Sequence, residues 1–235
     1  MVKNREEDAS RNPGRTDQPN SPAGSRDGSG KKRPVVTASD LRVSRGGKEI
    51  LHGLDLSLEP GTITGLLGPS GCGKTTLMRT IVGVQRYRGH LKVLGHAPGA
   101  SPVRGRVGYV TQGQAVYTDL TARQNLRYFA SLAGRRARDI QEVLDVVGLA
   151  ELADRRVSTY SGGEANRVSL ACALVADPDL LIMDEAFRCD RVLLMREGRL
   201  LASTTADDLL KSTGAETVDS AFLAVIARST QEGQD

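Results

Sequence analysis

The sequence predicts an α/β fold, in which helices pack on a parallel sheet, and three observations carry this prediction. An apolar, β-branched run at residues 62–67 leads directly into a glycine-rich loop at residues 68–76. A helical pattern begins at the end of that loop and covers residues 75–82, and a second apolar run, residues 180–185, ends in two acidic residues. Strands that alternate with helices around such a loop are typical of an α/β sandwich.

The glycine-rich loop matches the pattern G-x-x-x-x-G-K-[ST]. Its residues are Gly68, Pro69, Ser70, Gly71, Cys72, Gly73, Lys74, Thr75 and Thr76. In this pattern the backbone N–H groups surround the phosphates of a nucleotide, Lys74 supplies a charge for the β and γ phosphates, and Thr75 offers a hydroxyl to Mg²⁺. Such a loop could also be a plain turn, but the strand before it and the helix after it are the context that the motif requires. The sequence therefore predicts a site for a nucleoside triphosphate and Mg²⁺.

The remaining elements follow from hydrophobic periodicity and turn signals. Further strands are predicted at residues 36–43, 50–51, 54–58, 90–94, 106–111, 192–195 and 200–202, and the Arg-Gly-Gly-Lys sequence at residues 45–48 predicts a hairpin turn. Further helices are predicted at residues 121–132, 137–147, 207–211 and 220–227, and from Ser161 onward.

Composition bounds the class of protein. The 235 residues are 39% hydrophobic, and no apolar run approaches the ~18 residues that a membrane span needs. The polar N-terminus does not resemble a secretory signal, and three cysteines suggest no disulfide framework. We therefore expect a soluble cytoplasmic protein. The net charge is +4, but eight basic and five acidic residues precede residue 35, so the rest is nearly neutral and predicts no nucleic-acid partner.

The chain divides into a tail and one domain. Residues 1–34 are rich in Ser, Gly, Pro and charged residues and are predicted to be disordered, because they cannot bury enough apolar surface to offset their ordering entropy. A basic tail could contact an anionic membrane surface, but composition favours a solvated leader. The ordered domain is predicted at residues 35–229, and residues 230–235 are predicted to be disordered.

The two acidic residues at 184 and 185 add a second candidate motif. Asp184, at a strand end, can hold the Mg²⁺ that bridges the phosphates, and Glu185 is placed to orient or deprotonate an attacking water. An apolar run that ends in Asp-Glu is usually only a strand terminus. The phosphate-binding pattern roughly 110 residues earlier turns it into a candidate nucleotide site.

A third motif spans residues 160–164. Ser161 can cap the following helix with Glu164 completing a capping box, but this does not explain Gly162 and Gly163. Two glycines at a helix start leave N–H groups open to a second phosphate. Together with the phosphate loop, this stretch resembles the LSGGQ signature of the nucleotide-binding domain of ABC transporters. Tyr160 stands in place of the Leu, and the resemblance runs from about residue 35 to residue 229.

The resemblance implies a P-loop NTPase sandwich with an antiparallel β subdomain, a helical subdomain at about residues 113–160, and ATP and Mg²⁺ as cofactors. It implies that Gln112 is the Q-loop glutamine that contacts Mg²⁺ and faces a membrane partner. By the same resemblance Ser161, Gly162 and Gly163 contact ATP held by an opposing subunit in a head-to-tail homodimer or a pair with a related ATPase. The implied membrane partner is an integral-membrane permease. The amino-acid sequence of residues 110–130 and 189–198 resembles that of actinobacterial drug-exporter ATPases.

Two departures from the family pattern qualify this interpretation. The place of an adenine-stacking aromatic holds Arg45, which either stacks on the base or is a plain turn residue. After Glu185 only five residues precede Arg191, and a parallel crossover needs about a dozen. We infer that one βα unit is missing, and with it the D-loop and the switch histidine, since all three histidines precede residue 97.

Two further readings of the function stay open, and so does the role of one cysteine. The shortened chain could be a hydrolysis-deficient, nucleotide-binding regulatory or vestigial module. A soluble ABC ATPase of DNA repair or translation ranks last, because neither a coiled-coil insertion nor a second ATPase domain is present in this sequence. Cys72 is either a reactive thiol at a helix N-terminus or an inert small residue.

Overall fold

Eight strands and five α-helices are present in the part of the chain that the computed structural model describes. That part comprises residues 33–111, 113, 115–133, 138–184, 189–215, 220–221 and 224–225. The predicted N-terminal tail, apart from its last two residues, and the predicted C-terminal segment 230–235 lie outside it. Gln112 and Glu185 lie outside it as well. The α/β class predicted from the sequence is confirmed by the elements described below.

An antiparallel sheet forms the first layer. It contains β1 (Val36–Arg45), β2 (Lys48–Leu58) and β4 (Arg88–Val93) in the order β2-β1-β4. Gly46 and Gly47 join β1 to β2 with φ angles of 59° and 79°, which is the left-handed backbone that a two-residue hairpin turn requires. The hairpin predicted from the Arg-Gly-Gly-Lys sequence is thus present, and β1 and β2 are longer than their apolar cores suggested.

Two smaller sheets carry the parallel strands. In one, β3 (Thr64–Leu67) pairs in parallel with β7 (Arg191–Arg196), which also pairs antiparallel with β8 (Arg199–Thr205). In the other, β5 (Val107–Val110) pairs in parallel with β6 (Leu180–Met183). Among the described residues no strand pairing joins β3 to β6, so one edge of each strand lacks a neighbour.

The described helices pack into two large hydrophobic cores and one smaller cluster. Helix α1 (Lys74–Val82) packs on the antiparallel sheet in the first core. The second core is formed by α2 (Ala122–Leu132), α3 (Ile140–Val146) and α4 (Gly162–Leu174). Helix α5 (Ala206–Thr213) covers β7 and β8. The second core overlaps the predicted helical subdomain but continues into α4, because Val168 and Val175 are fully buried in it.

Side-chain caps decide where two of these helices begin. The apolar pattern placed the start of α3 at residue 137, but the helix begins at Ile140, because the Asp139 carboxylate accepts hydrogen bonds from the N–H groups of Gln141 and Glu142 at 2.8 and 3.0 Å. Helix α2 begins after Thr121, which forms a capping box with Gln124. Within the described ranges no helix is long and apolar enough to cross a membrane.

The turn between β7 and β8 braces the glycine-rich loop against β2. Gly198 donates its N–H to the carbonyl oxygen of Cys72 at 3.0 Å, and its own carbonyl accepts from the N–H of His52 at 2.9 Å. Its φ is 71°, and a β-carbon at this position would collide with the backbone carbonyl oxygen of Ile50. Only glycine fits here without a collision, so this turn can contact both the glycine-rich loop and β2 and hold them together.

We predict that Gly198→Ala destabilises the fold more than an alanine at an open glycine of the same conformation. Gly214 is the matched control, since its φ is 69° and nothing lies within 4 Å of the added carbon. Gly214→Ala should cost about 1–2 kcal/mol for the left-handed backbone. Gly198→Ala should cost roughly 1–3 kcal/mol more, because the collision adds to that strain. Urea unfolding measures both, and equal losses would contradict the bracing role.

Candidate functional site

The loop between β3 and α1 presents a cluster of open backbone donors. The N–H groups of Gly73, Lys74, Thr75 and Thr76 have no acceptor in the described part of the chain, and the first bond within α1 runs from Leu77 to Gly73 at 2.9 Å. Gly73 is the N-cap residue and supplies no side-chain cap. Unpaired N–H groups and the positive end of the helix dipole make this a ready site for an anion.

Packing beneath the loop explains two of its residues. A β-carbon on Gly68 would collide with the carbonyl oxygen of Met195 and would lie 2.5 Å from the Sγ atom of Cys72. Gly68 is therefore required for the close approach of the loop to β7. Cys72 is buried, and its N–H donates to the carbonyl oxygen of Pro69 at 3.2 Å. This burial favours the interpretation of Cys72 as an inert packing residue.

Lys74 reaches back across the loop. Its Nζ atom donates to the carbonyl oxygens of Gly68 at 2.6 Å and Pro69 at 3.0 Å. These bonds hold the ammonium group within the loop, beside the open N–H groups of the helix start. The positive charge therefore lies where a bound polyphosphate would need it.

Asp184 lies beside Thr75 despite the shortened segment that follows β6. The Thr75 hydroxyl donates to the Asp184 carboxylate at 3.4 Å, and the Asp184 N–H donates to the carbonyl oxygen of Val110 at 3.1 Å. A hydroxyl and a carboxylate are the hard oxygen ligands that Mg²⁺ takes together with substrate phosphates. The donor set at this position therefore fits the metal that the motif predicts.

The assignments of Gln112 and Glu185 stay predictions, because both residues lie outside the described ranges. The strands that precede them are paired: β5 ends at Val110 and β6 ends at Met183, opposite each other in one parallel sheet. Both strands therefore end at the edge where Asp184 approaches the loop.

The predicted signature segment is a capped helix start. Ser161 is the N-cap of α4: its hydroxyl accepts from the N–H of Glu164 at 3.3 Å, and its own N–H donates to the Glu164 carboxylate at 2.7 Å. Gly162 and Gly163 are exposed, and nothing lies within 4 Å of a β-carbon at either residue. The cap binds the third N–H group of the helix, and the N–H groups of both glycines have no acceptor among the residues that the structure describes, so they are available to a ligand.

The hydrogen bonds of this cap also lower the pKa of Glu164. The backbone N–H of Ser161, followed by its hydroxyl, lowers the pKa of Glu164 below its ordinary value. Tyr160, which precedes the cap, packs against the second core, and its hydroxyl donates to the carbonyl oxygen of Leu152. An aromatic residue with a satisfied hydroxyl can thus occupy the position that the family usually gives to Leu.

One chain assembles only part of the predicted site. Lys74, Thr75 and Asp184 meet at the end of the first core, whereas Ser161–Gly163 begin a helix of the second core, and no hydrogen bond within the described residues joins the two groups. Gly198 and Met195, which brace the loop, were missed by the sequence reasoning. The only signal was a Glu-Gly turn between two short strands, and no motif connects that turn to a loop more than a hundred residues away.

Comparison with known proteins identifies the family to which the chain belongs. The model of the ABC transporter family matches residues 51–188. The chain belongs to the ABC transporter family. It is similar to the linearmycin resistance ATP-binding protein LnrL of Bacillus subtilis (strain 168), with 30% identity over 78% of this chain and 73% of the relative. It is also similar to the daunorubicin resistance ATP-binding protein DrrA3 of Streptomyces coeruleorubidus, with 32% identity over 79% of this chain and 72% of the relative.

Solved structures confirm the fold of an ABC ATPase. An ATP-binding subunit of an ABC transporter superimposes with a TM-score of 0.68 at 20% identity, over 80% of this chain and 98% of that one. A bacterial Atm1-family ABC exporter with ATP bound superimposes with a TM-score of 0.67 at 24% identity, over 88% of this chain and 44% of that one. The chain is thus an ABC ATP-binding subunit of the P-loop class, and the predicted resemblance to drug-exporter ATPases is confirmed.

The alignments also contain gaps in this chain. The match to LnrL extends over 228 positions but covers only 78% of the 235 residues, and the match to DrrA3 extends over 229 positions and covers 79%. Both ABC relatives therefore have residues that this chain lacks.

We predict that Ser161→Ala raises the pKa of Glu164 toward its ordinary value. The Ser161 hydroxyl also donates to the Glu164 carboxylate at 2.9 Å, and this bond is lost in the variant while the one from the Ser161 backbone N–H remains. NMR titration of the Glu164 carboxyl group measures the change. Thr159→Ala is the control, because the Thr159 hydroxyl bonds only to the Arg156 carbonyl oxygen.

The lowered pKa of Glu164 also makes the stability of the fold depend on pH. A lowered folded-state pKa contributes stability that is fully present above the ordinary pKa of Glu164 and is lost as the pH falls through the folded-state value. The stability difference between the parent chain and Ser161→Ala should therefore narrow in acid. A Glu164 titration that is unchanged by Ser161→Ala would exclude this role of the cap.

Proposed function

We propose that this ABC ATP-binding subunit binds Mg-ATP at the loop of residues 68–76 and powers export through a separate integral-membrane permease. The observation that carries the proposal is the convergence of three groups at one point: the open N–H groups at the start of α1, the ammonium of Lys74, and the Thr75–Asp184 oxygen pair at 3.4 Å. Each group matches a different part of a metal-bound triphosphate.

In this proposal each residue has a separate task. The N–H groups of Gly73 to Thr76 bind phosphate oxygens, and Lys74 exchanges its carbonyl partners for the β and γ phosphates. Thr75 and Asp184 hold Mg²⁺, which neutralises phosphate charge when it is bound. Gln112 is the proposed additional ligand of Mg²⁺, and Glu185 is the proposed base for the attacking water.

A head-to-tail dimer follows from the separation of the two halves of the site. Gly162 and Gly163 offer open N–H groups at the start of α4, but they belong to a different core from Lys74. A second copy of the chain, or a related ATPase subunit, would supply these donors to the triphosphate from the opposite side. Two ATP molecules would then lie between two subunits, and their binding would drive closure.

The direction of transport is inferred from the relatives. LnrL and DrrA3 carry resistance to linearmycin and daunorubicin in their names, and export is one way for a transporter to confer resistance. The described residues contain no helix able to span a membrane, so a permease must supply the substrate path. We accordingly place the chain at the cytoplasmic face of the cell membrane, bound to that permease and not to nucleic acid.

Hydrolysis is expected to be impaired. The segment between β6 and β7 is too short for a crossover helix and a further strand, and the ABC relatives contain residues that this chain lacks. The D-loop and the switch histidine belong to the part that we infer to be missing. A hydrolysis-deficient regulatory or vestigial module is therefore the second candidate, and the same observation favours it.

We predict that Asp184→Asn removes the effect of Mg²⁺ on ATP affinity and leaves metal-free ATP binding intact. The loss should be at least about tenfold in the presence of Mg²⁺, because even residues outside the ligand set change metal affinity by that factor. Calorimetric titration with ATP, in Mg²⁺ and again in EDTA, separates the two effects.

Two variants serve as references for this titration. Asp119→Asn, at an exposed carboxylate, should bind as the parent chain does, and Lys74→Ala should weaken binding under both conditions. If Asp184→Asn kept the full benefit of Mg²⁺, Asp184 would not be the metal ligand.

We also predict that purified chain binds ATP but releases phosphate slowly, below about 1 s⁻¹, which is the lower end of typical enzyme turnover. The physical reason is that the groups that sense the γ phosphate are missing. A phosphate-release assay measures the rate, and Glu185→Gln should lower any residual rate further, by roughly 10²–10⁴-fold if Glu185 is the base. Turnover in the ordinary range would overturn the predicted impairment, and residual turnover that Glu185→Gln does not change would exclude the base.

A further inference from the structure

A cavity of about 630 Å³ separates the two parallel sheets. All four residues of β3 line one wall, all four residues of β6 line another, and the apolar side chains of Leu77, Met78 and Ile81 from α1 lie among the lining groups. The cavity is thus bounded by two strand edges and by part of the first hydrophobic core.

The pairing of β3 shows which of its backbone groups face this cavity. The carbonyl oxygen of Ile63 accepts from the N–H of Asp190 at 2.8 Å, and β3 continues in parallel along β7 from Thr64 opposite Arg191. Because backbone groups alternate sides along a strand, Gly65 and Leu67 bond toward β7, as Ile63 does. The N–H and C=O groups of Thr64 and Leu66 therefore point away from β7, into the cavity.

The same argument applies to β6. The N–H groups of Leu180 and Asp184 donate to carbonyl oxygens of Arg106 and Val110, at 3.1 Å in both cases, on the β5 side. Leu181 and Met183 therefore direct their N–H and C=O groups away from β5. No hydrogen-bond partner for the cavity-facing groups of either strand occurs among the described residues.

Both strands run in the same direction past the cavity. Their carboxyl ends meet, because Thr75, which follows β3, contacts Asp184, which follows β6. Each edge is four residues long, so it spans roughly 13 Å at about 3.3 Å per residue. Two such edges with open donors and acceptors specify an occupant whose own backbone can hydrogen-bond on both sides, and that is an extended polypeptide.

The charged side chains around the cavity indicate in which orientation an extended occupant would bind. Glu59 and Asp179 precede β3 and β6 and line the cavity near the amino ends of the two strands, although Asp179 also accepts a hydrogen bond from Arg106 at 2.7 Å. Lys74 and Asp184 both line the cavity at the carboxyl ends, where their opposite charges offset each other, so the net negative charge lies at the amino ends. A strand that runs parallel to its two neighbours would place its amino end beside the acids, so a basic residue there complements them.

We propose that this cavity is a docking groove for an extended apolar segment of another polypeptide, which enters as a strand parallel to β3 and β6 with a Lys or Arg at its amino end. The segment joins the two sheets into one and covers the apolar side chains of α1. Within the chain, the four residues between Asp184 and Cys189 are too few to supply it. Every described strand is already paired along at least one edge, so none of these strands in a second copy could hydrogen-bond to β3 and β6 on both of its sides.

The test uses a synthetic probe, a fluorescent peptide of sequence Lys-Ser-Val-Ile-Val-Val-Thr, and the full chain without nucleotide, so that it does not depend on ATP binding. Fluorescence anisotropy should show saturable binding, and amide hydrogen exchange should slow at Thr64, Leu66, Leu181 and Met183. Methylation of the central peptide nitrogens should weaken binding roughly five- to tenfold for each methyl group, because each removes one donor to a strand edge. Moving the Lys to the carboxyl end should weaken binding as well.

A matched pair of variants tests the groove from the protein side. Met183→Pro removes the cavity-facing N–H of β6, whereas Met183→Leu keeps it and stays apolar. The proline variant should bind the peptide about tenfold more weakly and the leucine variant as the parent chain does. Thermal unfolding of both variants shows whether the proline chain is folded, and the N-methylated peptides give an answer on the unmutated chain if it is not.

Three results would overturn the proposal. They are no saturable binding of the peptide, equal binding of the N-methylated peptides, and protection from exchange outside the two strand edges. Equal binding would show that the cavity is an apolar pocket indifferent to backbone pairing, and equal binding with the Lys at either end would refute the parallel orientation.

Discussion

The contact between the glycine-rich loop and the turn of β7 and β8 is the constraint on which the candidate site depends. Four backbone N–H groups at the start of α1 have no acceptor within the described ranges, which is costly unless an anion or water satisfies them. The loop is held in this conformation from below, by the hydrogen bond from Gly198 to Cys72 and by the close approach of Gly68 to Met195. The donors are therefore organised before any ligand arrives, and a ligand does not have to order them.

The second feature that shapes the molecule is the break between β3 and β6. In an α/β sandwich a parallel strand normally has neighbours on both sides, and its backbone groups are satisfied by them. In the described part of the chain, each of the two strands that precede Thr75 and Asp184 has one edge without a neighbouring strand, yet Asp184 still contacts Thr75. The contact between Thr75 and Asp184 thus depends on the ends of the strands, while the stability of the sheet depends on their whole length. A chain can therefore keep the contact between Thr75 and Asp184 while its sheet loses part of its stability.

The two large hydrophobic cores carry different parts of the candidate site. The first core holds the loop, Lys74 and Asp184, and the second core presents the capped start of α4 with its two exposed glycines. Burial raises the pKa of the Cys172 thiol in the second core to about 12, which disfavours the reactive thiolate form. Because the two helix starts with open N–H groups lie in different cores of the described chain, the proposed site is completed by a second subunit.

Local chemistry was readable from the sequence wherever a short motif carries its own geometry. The glycine pattern with Lys74 predicts an anion site, the Ser161–Glu164 spacing predicts a capping box, and the Gly46-Gly47 pair predicts a hairpin, because in each case residues within a few positions determine the backbone. The inference that one βα unit is missing likewise comes from counting the residues between two apolar runs. Helix boundaries such as the start of α3 were less certain, because a single cap outweighs the apolar pattern.

Only the tertiary structure decided what long-range packing controls. The bracing of the loop by Gly198, the approach of Asp184 to Thr75 and the open edges of β3 and β6 join segments that are many residues apart, and no local pattern encodes which edge of a strand finds a partner. Periodicity shows that a strand is buried but does not identify its neighbours, since every apolar strand of similar length presents the same pattern. The sequence therefore determined which chemistry this protein carries, and the packing of distant strands decided where that chemistry is complete and where it is left open.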